Sequence, residues 1–477
     1  MRAAYRSPDL SKPAASLNRN CRYASPVVLP KFLIIPSMPN RYSVLFFLVL
    51  FAAPPRLQAQ PAVDTSSAAA APPAAPVAAS TPTVQPAAPA PAPAAPAAAK
   101  TPLKRLEPGD WPPIADELDA KSLEKAAART LRYLDGFKSE RKSFKIGDME
   151  VGAGLLADTA RAVVDAVRAY ATPEQLEARL KEGFDLYQSI GSDGEGKVIF
   201  SSYYQPTLSA SLKQTPKYRF PIYKRPKDLV QADFGAFNPK LKGETALGRV
   251  KNGELVPYFD RRDIDVRKAL AGKHLEVAWL ANQFDRLDLH IEGSGILELP
   301  SGKRMLAKYA GTNALPYKSV GLALANSGAV TRAELSHERL RQYLTDHPEG
   351  EGWLLAQNPR YTFFELTKLP EDGQPFGTIE QPLTPGRSIA IDPKVIPLGA
   401  VAYFRVHMPQ ANHEGELLGI FPTSRLVMCQ DTGGAIQGPG RVDIFMGSGK
   451  QAKASAVSQW HEGRLYILLK KLPPRER

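Results

Sequence analysis

The chain reads as mainly β with N-terminal helices, and three observations carry that expectation. From residue 197 onward, short apolar or alternating runs are broken by Gly, Pro and Asn, the texture of strands joined by tight connections. Before that point, apolar residues recur at helical spacing in three stretches. Farther upstream, residues 60–100 are nearly all Ala, Pro, Thr, Val and Ser with no aromatic residue, so they cannot bury enough apolar surface to offset chain entropy. The 477 residues therefore hold less folded protein than their number implies.

Residues 38–59, MPNRYSVLFFLVLFAAPPRLQA, carry Arg41, an apolar run over 44–53 too short to span a bilayer comfortably, and then Leu57-Gln58-Ala59. This is the pattern of an export signal starting at Met38, or of an uncleaved signal anchor. No cysteine follows the apolar run, which speaks against a lipoprotein. The expectation is an N-terminal extension and signal over 1–59 and a disordered linker over 60–110. The formal net charge of +13 suggests nucleic acid, but residues 1–59 hold eight basic side chains against one acid. Without them the balance is near +6, modest for a domain of this size, so no nucleic-acid partner is expected. Cys21 lies in the segment expected to be lost, which leaves Cys429 without a disulfide partner. Between Met428 and Gln430, and with no histidine nearby, Cys429 reads as a buried strand thiol.

Order is expected from Trp111. Leu123, Ala127, Leu131 and Leu134 mark a first helix; Leu156, Ala160, Val163 and Val167 mark a second over about 149–170. A third runs to about residue 184 from Thr172, an N-cap before Pro173. Strands are expected at 198–206, 275–281, 287–311 with a hairpin tip at Ser301-Gly302, 387–406, 419–431 and 463–470, and a helix at 331–347.

The chemistry concentrates in CQDTGGAIQGPGRVDIFMG, residues 429–447. Gly433, Gly434, Gly438, Pro439 and Gly440 let the chain turn back, so that Asp431 and Asp443 can sit across neighbouring strands. Two close carboxylates repel, and one then keeps its proton near neutral pH, as a general acid must. Aspartates in such a stretch also serve to cap turns, and residue types alone leave both roles open. No calcium-loop spacing is present and the seven histidines are scattered, so no metal or other cofactor is expected.

The same stretch, with RSIAIDPKVIPLGA at 387–400, is similar to the three-aspartate domain. Preceded by FSSYYQP, RFPIYKRPKDLV, HIEGSGILELPSG, YAGTNALPYKSVG and NPRYTFFEL in that order, it resembles the membrane-bound lytic murein transglycosylase A family over about 120–475. The resemblance implies a double-psi β-barrel built from N- and C-terminal segments plus an inserted, barrel-like second β domain. The corresponding division is a helical layer and first barrel part at 111–225, the insert at 226–374 and the second barrel part at 375–477. It also implies periplasmic cleavage of the β-1,4 bond between N-acetylmuramic acid and N-acetylglucosamine, leaving a 1,6-anhydro sugar, by a monomer that binds peptidoglycan strands, with other cell-wall enzymes as further candidate partners.

Asp443 falls on the position of the family's catalytic aspartate, Asp431 on a supporting one and Asp392 on the third. Tyr203, Tyr204, Glu292, Gly293, Ser294, Gly295, Asn313 and Tyr317 are the candidate glycan-binding residues. One aspartate suffices if the sugar's own C6 hydroxyl attacks, since a tethered nucleophile has an effective concentration that water lacks. Ser201 and Ser202 stand where the family usually has Thr-Gly, Glu292 where Gln is usual, Ile296 where Arg is usual, and Ala314-Leu315 where Gly-His is usual. Two other outcomes therefore stay open: a glycan-binding protein without turnover, and a hydrolase pairing Asp443 with Glu292.

Overall fold

The structure is a computed structural model and describes residues 101–137 and 143–472. The export signal, Cys21 and the low-complexity part of the linker lie outside these residues.

Six strands close a barrel: β1 (Val198–Gln205), β2 (Ser388–Ala390), β3 (Val401–Ala411), β4 (Leu417–Asp431), β5 (Arg441–Ser448) and β6 (Trp460–Lys470). Their order around the ring is β6-β3-β4-β2-β5-β1, and β1 returns to β6. The β2–β4 and β5–β1 pairs are parallel and the others antiparallel. Closure removes the exposed edges that an open sheet would leave. Alternation along β3 sends Ala402, Phe404 and Val406 inward, where they meet Phe200, Val427, Val442 and Ile444. It sends Val401 and Tyr403 outward, against Leu123, Ala160, Val163 and Leu180 of the helices. Phe200 and Phe404, fully buried with centroids 5.4 Å apart, anchor the interior, and each such ring contributes about 3 kcal/mol by burial.

The helical layer is α1 (Ala120–Asp135), α2 (Ala153–Ala169) and α3 (Pro173–Gly183). Thr172 caps α3 by accepting from the Gln175 amide, with Pro173 at the first turn as expected. Residues 149–152, expected to open the second helix, instead form a strand paired with Ser143–Ile146. Order also begins before Trp111. Leu103–Leu106 pairs with Phe184–Ser189, which itself pairs with β6, and the two leucines enter different cores. The last residues of the expected linker are therefore structured.

The insert carries a six-stranded sheet in the order Thr362–Lys368, Arg304–Thr312, Gly295–Glu298, Thr207–Ser211, Glu276–Leu280, Phe220–Tyr223. Two of these strands lie upstream of residue 226, so the sheet starts earlier than the expected boundary. Its outer strands approach one another where the Tyr223 and Tyr361 rings lie 6.3 Å apart. Residues 287–292, expected as strand, belong to helix α4 (Gln283–Glu292). The alternation in Leu-Asp-Leu-His-Ile imitates a strand, but Asn282 accepts from the Asp285 amide as an N-cap, and Gly293 at φ 77° ends the helix. The helix expected from residue 331 starts at His337, where Ser336 caps it.

Candidate active site

Asp431 ends β4 and Asp443 sits in β5, yet these strands are not neighbours. The short β2 runs between them, and its Ala390 is the register partner of both aspartates, in parallel with Asp431 and antiparallel with Asp443. The expectation of adjacent strands is thus corrected: the aspartates flank one intervening strand, which sets their backbones about 10 Å apart. The glycine-rich connection needs small residues for a different reason as well. A Cβ on Gly434 would come within 2.7 Å of the Arg360 guanidinium, which the insert sends down onto this loop.

Asp443 Oδ1 accepts from the Ser201 hydroxyl at 2.8 Å, and Arg441 Nη2 donates to the same serine oxygen at 3.0 Å. Register explains the trio: Asp443 lies opposite Ser201, and Arg441, two residues earlier on β5, shares its face. The Arg441 guanidinium is fixed over the Trp460 ring at 4.5 Å. Burial pushes the Asp443 carboxyl up to about 6, against the Ser201 hydrogen bond and the Arg441 charge, which pull it down.

Asp431 is differently supplied. Its Oδ2 accepts from the Tyr203 hydroxyl at 2.7 Å. Its Oδ1 accepts from the Thr378 amide at 3.0 Å, the Thr378 hydroxyl at 2.9 Å and the Thr432 amide at 2.9 Å. Burial still raises this carboxyl, and the donors oppose it. Four donated hydrogen bonds suit an ionised, acceptor-only group. Asp392 accepts from the Lys394 and Gly438 amides at 2.9 and 2.7 Å, pinning its own turn to the glycine-rich loop.

All three aspartates line one cleft of about 1250 Å³, whose other wall comes from the insert. Glu292, Gly293, Ser294 and Tyr317 line it too, as does Tyr203. Three expected contributors do not. Tyr204 alternates to the opposite side of β1, buried against Ala452 and Ala456, with its hydroxyl donated to Asp288 at 2.7 Å. It has no free face for a sugar. Gly295 is buried, and a Cβ there would lie 2.6 Å from Leu289, so it is a packing glycine. Asn313 is 1% exposed, and its amide donates to the Phe259 and Pro359 carbonyls and accepts from the Tyr361 amide, which holds the insert's own loops together. Glu292 accepts from the Tyr204 amide at 3.1 Å, and burial, then the Asp288 charge, push its carboxyl well up, with Asp443 adding to the shift. Cys429 is buried and its thiol is pushed up by burial, as a structural thiol is.

Sequence reasoning missed Arg441, Thr378, Arg360 and Trp460 as cleft residues. Arg441 was findable, since period 2 puts it on the face of Asp443. Thr378 and Trp460 were not, because they reach the site from elements whose register no local pattern fixes.

The fold and the cleft define a closed-barrel protein with an inserted β domain and a carboxylate-based site. The family models for the MltA specific insert domain and for the 3D domain match residues 199–365 and 387–469. The chain belongs to the MltA family and carries a 3D domain. Membrane-bound lytic murein transglycosylase A of Escherichia coli K12 is 29% identical over 289 residues, 60% of this chain and 69% of that protein. A membrane-bound lytic murein transglycosylase from Agrobacterium tumefaciens, known as a crystal structure, is 28% identical with a TM-score of 0.60, covering 77% of this chain and 97% of that one. The crystal structure of E. coli MltA with bound chitohexaose has a TM-score of 0.59 at 23% identity, over 78% and 96% of the two chains, and speaks for the fold.

Proposed function

We propose that the chain is a lytic transglycosylase that cleaves the β-1,4 bond between N-acetylmuramic acid and N-acetylglucosamine of peptidoglycan and closes a 1,6-anhydro ring. The observation that carries this reading is Asp443, held on the cleft floor with its carboxyl raised to about 6. Asp443 first gives its proton to the glycosidic oxygen, then takes one from the C6 hydroxyl that attacks the anomeric carbon. Ser201 and Arg441 fix the carboxyl for both transfers. Asp431, whose four donors oppose the upward push of burial, supplies negative charge beside the oxocarbenium-like centre. Tyr203, Tyr317 and the turn at Gly293-Ser294 would hold the glycan, with Asp392 keeping the loop in place. The names of the relatives support an envelope location, and among the described residues no helix is long and apolar enough to cross a membrane. In this reading the barrel and insert are the two walls of one glycan groove and the upstream segment is a tether.

Glu292 does not favour a hydrolase. Burial and the Asp288 charge push this carboxyl well up, which favours its protonated form and makes it a poorer base for activating water. Mass spectrometry of products released from purified sacculi tests the reading: anhydro-muropeptides are expected. Reducing ends would mean a hydrolase, and pelleting on sacculi without release would mean a binding protein.

Two further outcomes are expected. The proton-bearing form of Asp443 is the competent one, so kcat/KM is highest below about pH 6 and falls about tenfold per unit above it; a profile flat to pH 8 would contradict the assignment. Asp431→Asn removes a charge felt mainly in the transition state, so kcat on sacculi drops by about tenfold to a hundredfold with KM little changed. A change in KM alone would make Asp431 a binding residue.

A further inference from the structure

Helix α4 ends at Glu292 in the cleft, and six residues earlier it presents Arg286 to a second cavity of about 130 Å³, which shares Arg261 with the cleft wall. Arg219, Arg261 and Lys268 also line that cavity, against the single carboxylate of Asp265. Asp265 is already engaged: Arg286 Nη2 lies 2.9 Å and Arg261 Nη1 3.5 Å from its Oδ2, and its Oδ1 accepts from the Tyr361 hydroxyl at 3.2 Å. Glu351 stands close enough to feel the charges of Arg286 and Arg219, and it accepts from Gln283. Even counting it, cations outnumber carboxylates around the cavity. Arg286 is 3% exposed, yet its Nε has no hydrogen-bond partner, a deficit that costs about 1–3 kcal/mol if nothing fills it.

The backbone is also unusual there. Arg262–Val266 forms a π-helical turn, and Lys268 follows in the left-handed region at φ 59°. Both are uncommon and costly for ordinary residues, and both tend to occur where a site needs them. The remaining wall is apolar, with Phe220, Val266 and Leu355. The Phe220 ring has the guanidiniums of Arg219 and Arg286 at 5.3 and 5.8 Å from its centroid.

We infer that this cavity binds one carboxylate carried on a short aliphatic residue, the chemistry of a peptide C-terminus. Arg286 Nη1 and Nη2 already meet Pro221, Gln283 and Asp265, so Nε–H is the donor left for a carboxylate oxygen, and the apolar wall accommodates a methyl-sized side chain. The site does not depend on the reaction proposed for the cleft.

The test titrates the full chain with N-acetylalanine of either hand, with the corresponding amide, and with inorganic phosphate, read by calorimetry and by the Arg286 Nε–H resonance, assigned through its loss in Arg286→Lys. The acid is expected to shift that resonance saturably, and the amide to bind at least about tenfold more weakly. Arg219→Gln and Lys268→Gln, both exposed and outside the cleft, are each expected to weaken the acid about threefold while leaving turnover on sacculi unchanged. Absence of saturable binding by either acid at tens of millimolar, an equal response to the amide, or tighter binding of phosphate than of the acid would each overturn the inference. The two glutamine variants keep the calorimetric test intact should Arg286→Lys fail to fold.

Discussion

Asp443→Asn is expected to lower kcat on purified sacculi by about a thousandfold, with the folded state preserved. The size follows from the role: one group performs both proton transfers, so neither half of the reaction keeps its catalyst. Asn retains the shape and can still accept from Ser201, which isolates the proton from the packing. Stability supplies an independent sign. Burial raises Asp443 to about 6 in the fold, above the ordinary carboxylate value near 4. Such a group contributes its stability below about pH 4 and loses it as pH rises through about 6. Asp443→Asn removes that loss, so the variant should be more stable than the parent at pH 7.5, by about 2 kcal/mol, with the gap closing towards pH 4. Thermal melts across that range read it directly. A variant that is inactive but also less stable at pH 7.5 would mean that the carboxylate holds the barrel together and that lost activity reports lost structure.

The sequence led to the expectation that repulsion between two aspartates around a glycine-rich turn keeps one protonated; in the fold burial, more than Asp431, raises Asp443. The stretch from Cys429 to Gly447 stood out because its residue types are so restricted: apolar strand, turn residues, apolar strand, and two aspartates whose roles, turn-capping or chemistry, residue types alone left open. The topology was less legible. Nothing local says that β2, about forty residues upstream of that stretch, slides between β4 and β5 and puts Ala390 opposite both aspartates. Parallel pairing depends on long connections, and their path is decided by the whole core.

The insert was the weaker part for related reasons. Leu287-Asp288-Leu289-His290-Ile291 alternates as a strand does, but in the helix Asp288 and His290 are buried polar residues. Asp288 takes hydrogen bonds from Tyr204 and from the His337 ring, and His290 Nδ1 accepts from Arg261 at 3.0 Å. A sequence pattern that assumes polar residues face water inverts wherever such a network forms. Tyr204 and Asn313, offered as glycan-binding residues by the resemblance, likewise have their polar ends satisfied inside the protein. Tyr203, one residue away from Tyr204, lines the cleft because period 2 gives it the other face.

The largest stability effect is expected away from the cleft, at Arg387. This arginine is fully buried, just ahead of β2. Its Nη1 donates to both Asp116 oxygens at 2.7 and 2.8 Å and to the Leu426 carbonyl at 2.6 Å; Nε donates to Ser122 at 2.9 Å and Nη2 to the Asp119 carbonyl at 3.0 Å. One side chain thus ties the segment that starts α1 to the strand bearing Asp431, three residues before the Ala390 that separates the aspartates. Burial already raises Asp116 in spite of Arg387. Arg387→Met leaves that carboxyl buried and uncompensated, at a cost of about 3–5 kcal/mol at neutral pH. Without its partner Asp116 rises further, so the deficit grows as pH rises and shrinks towards pH 4, the same sense as the loss of a surface ion pair but larger, because the stranded carboxylate is buried. Replacing both partners, Asp116→Leu with Arg387→Met, removes the stranded charge and should recover most of the loss, because an apolar pair of similar volume carries no desolvation penalty. Denaturant unfolding of the single and double variants at pH 5 and 7.5 separates these outcomes: a double variant as unstable as the single one would place the cost in the lost hydrogen bonds to Leu426, Ser122 and Asp119, and would make Arg387 a backbone brace first and a counter-ion second.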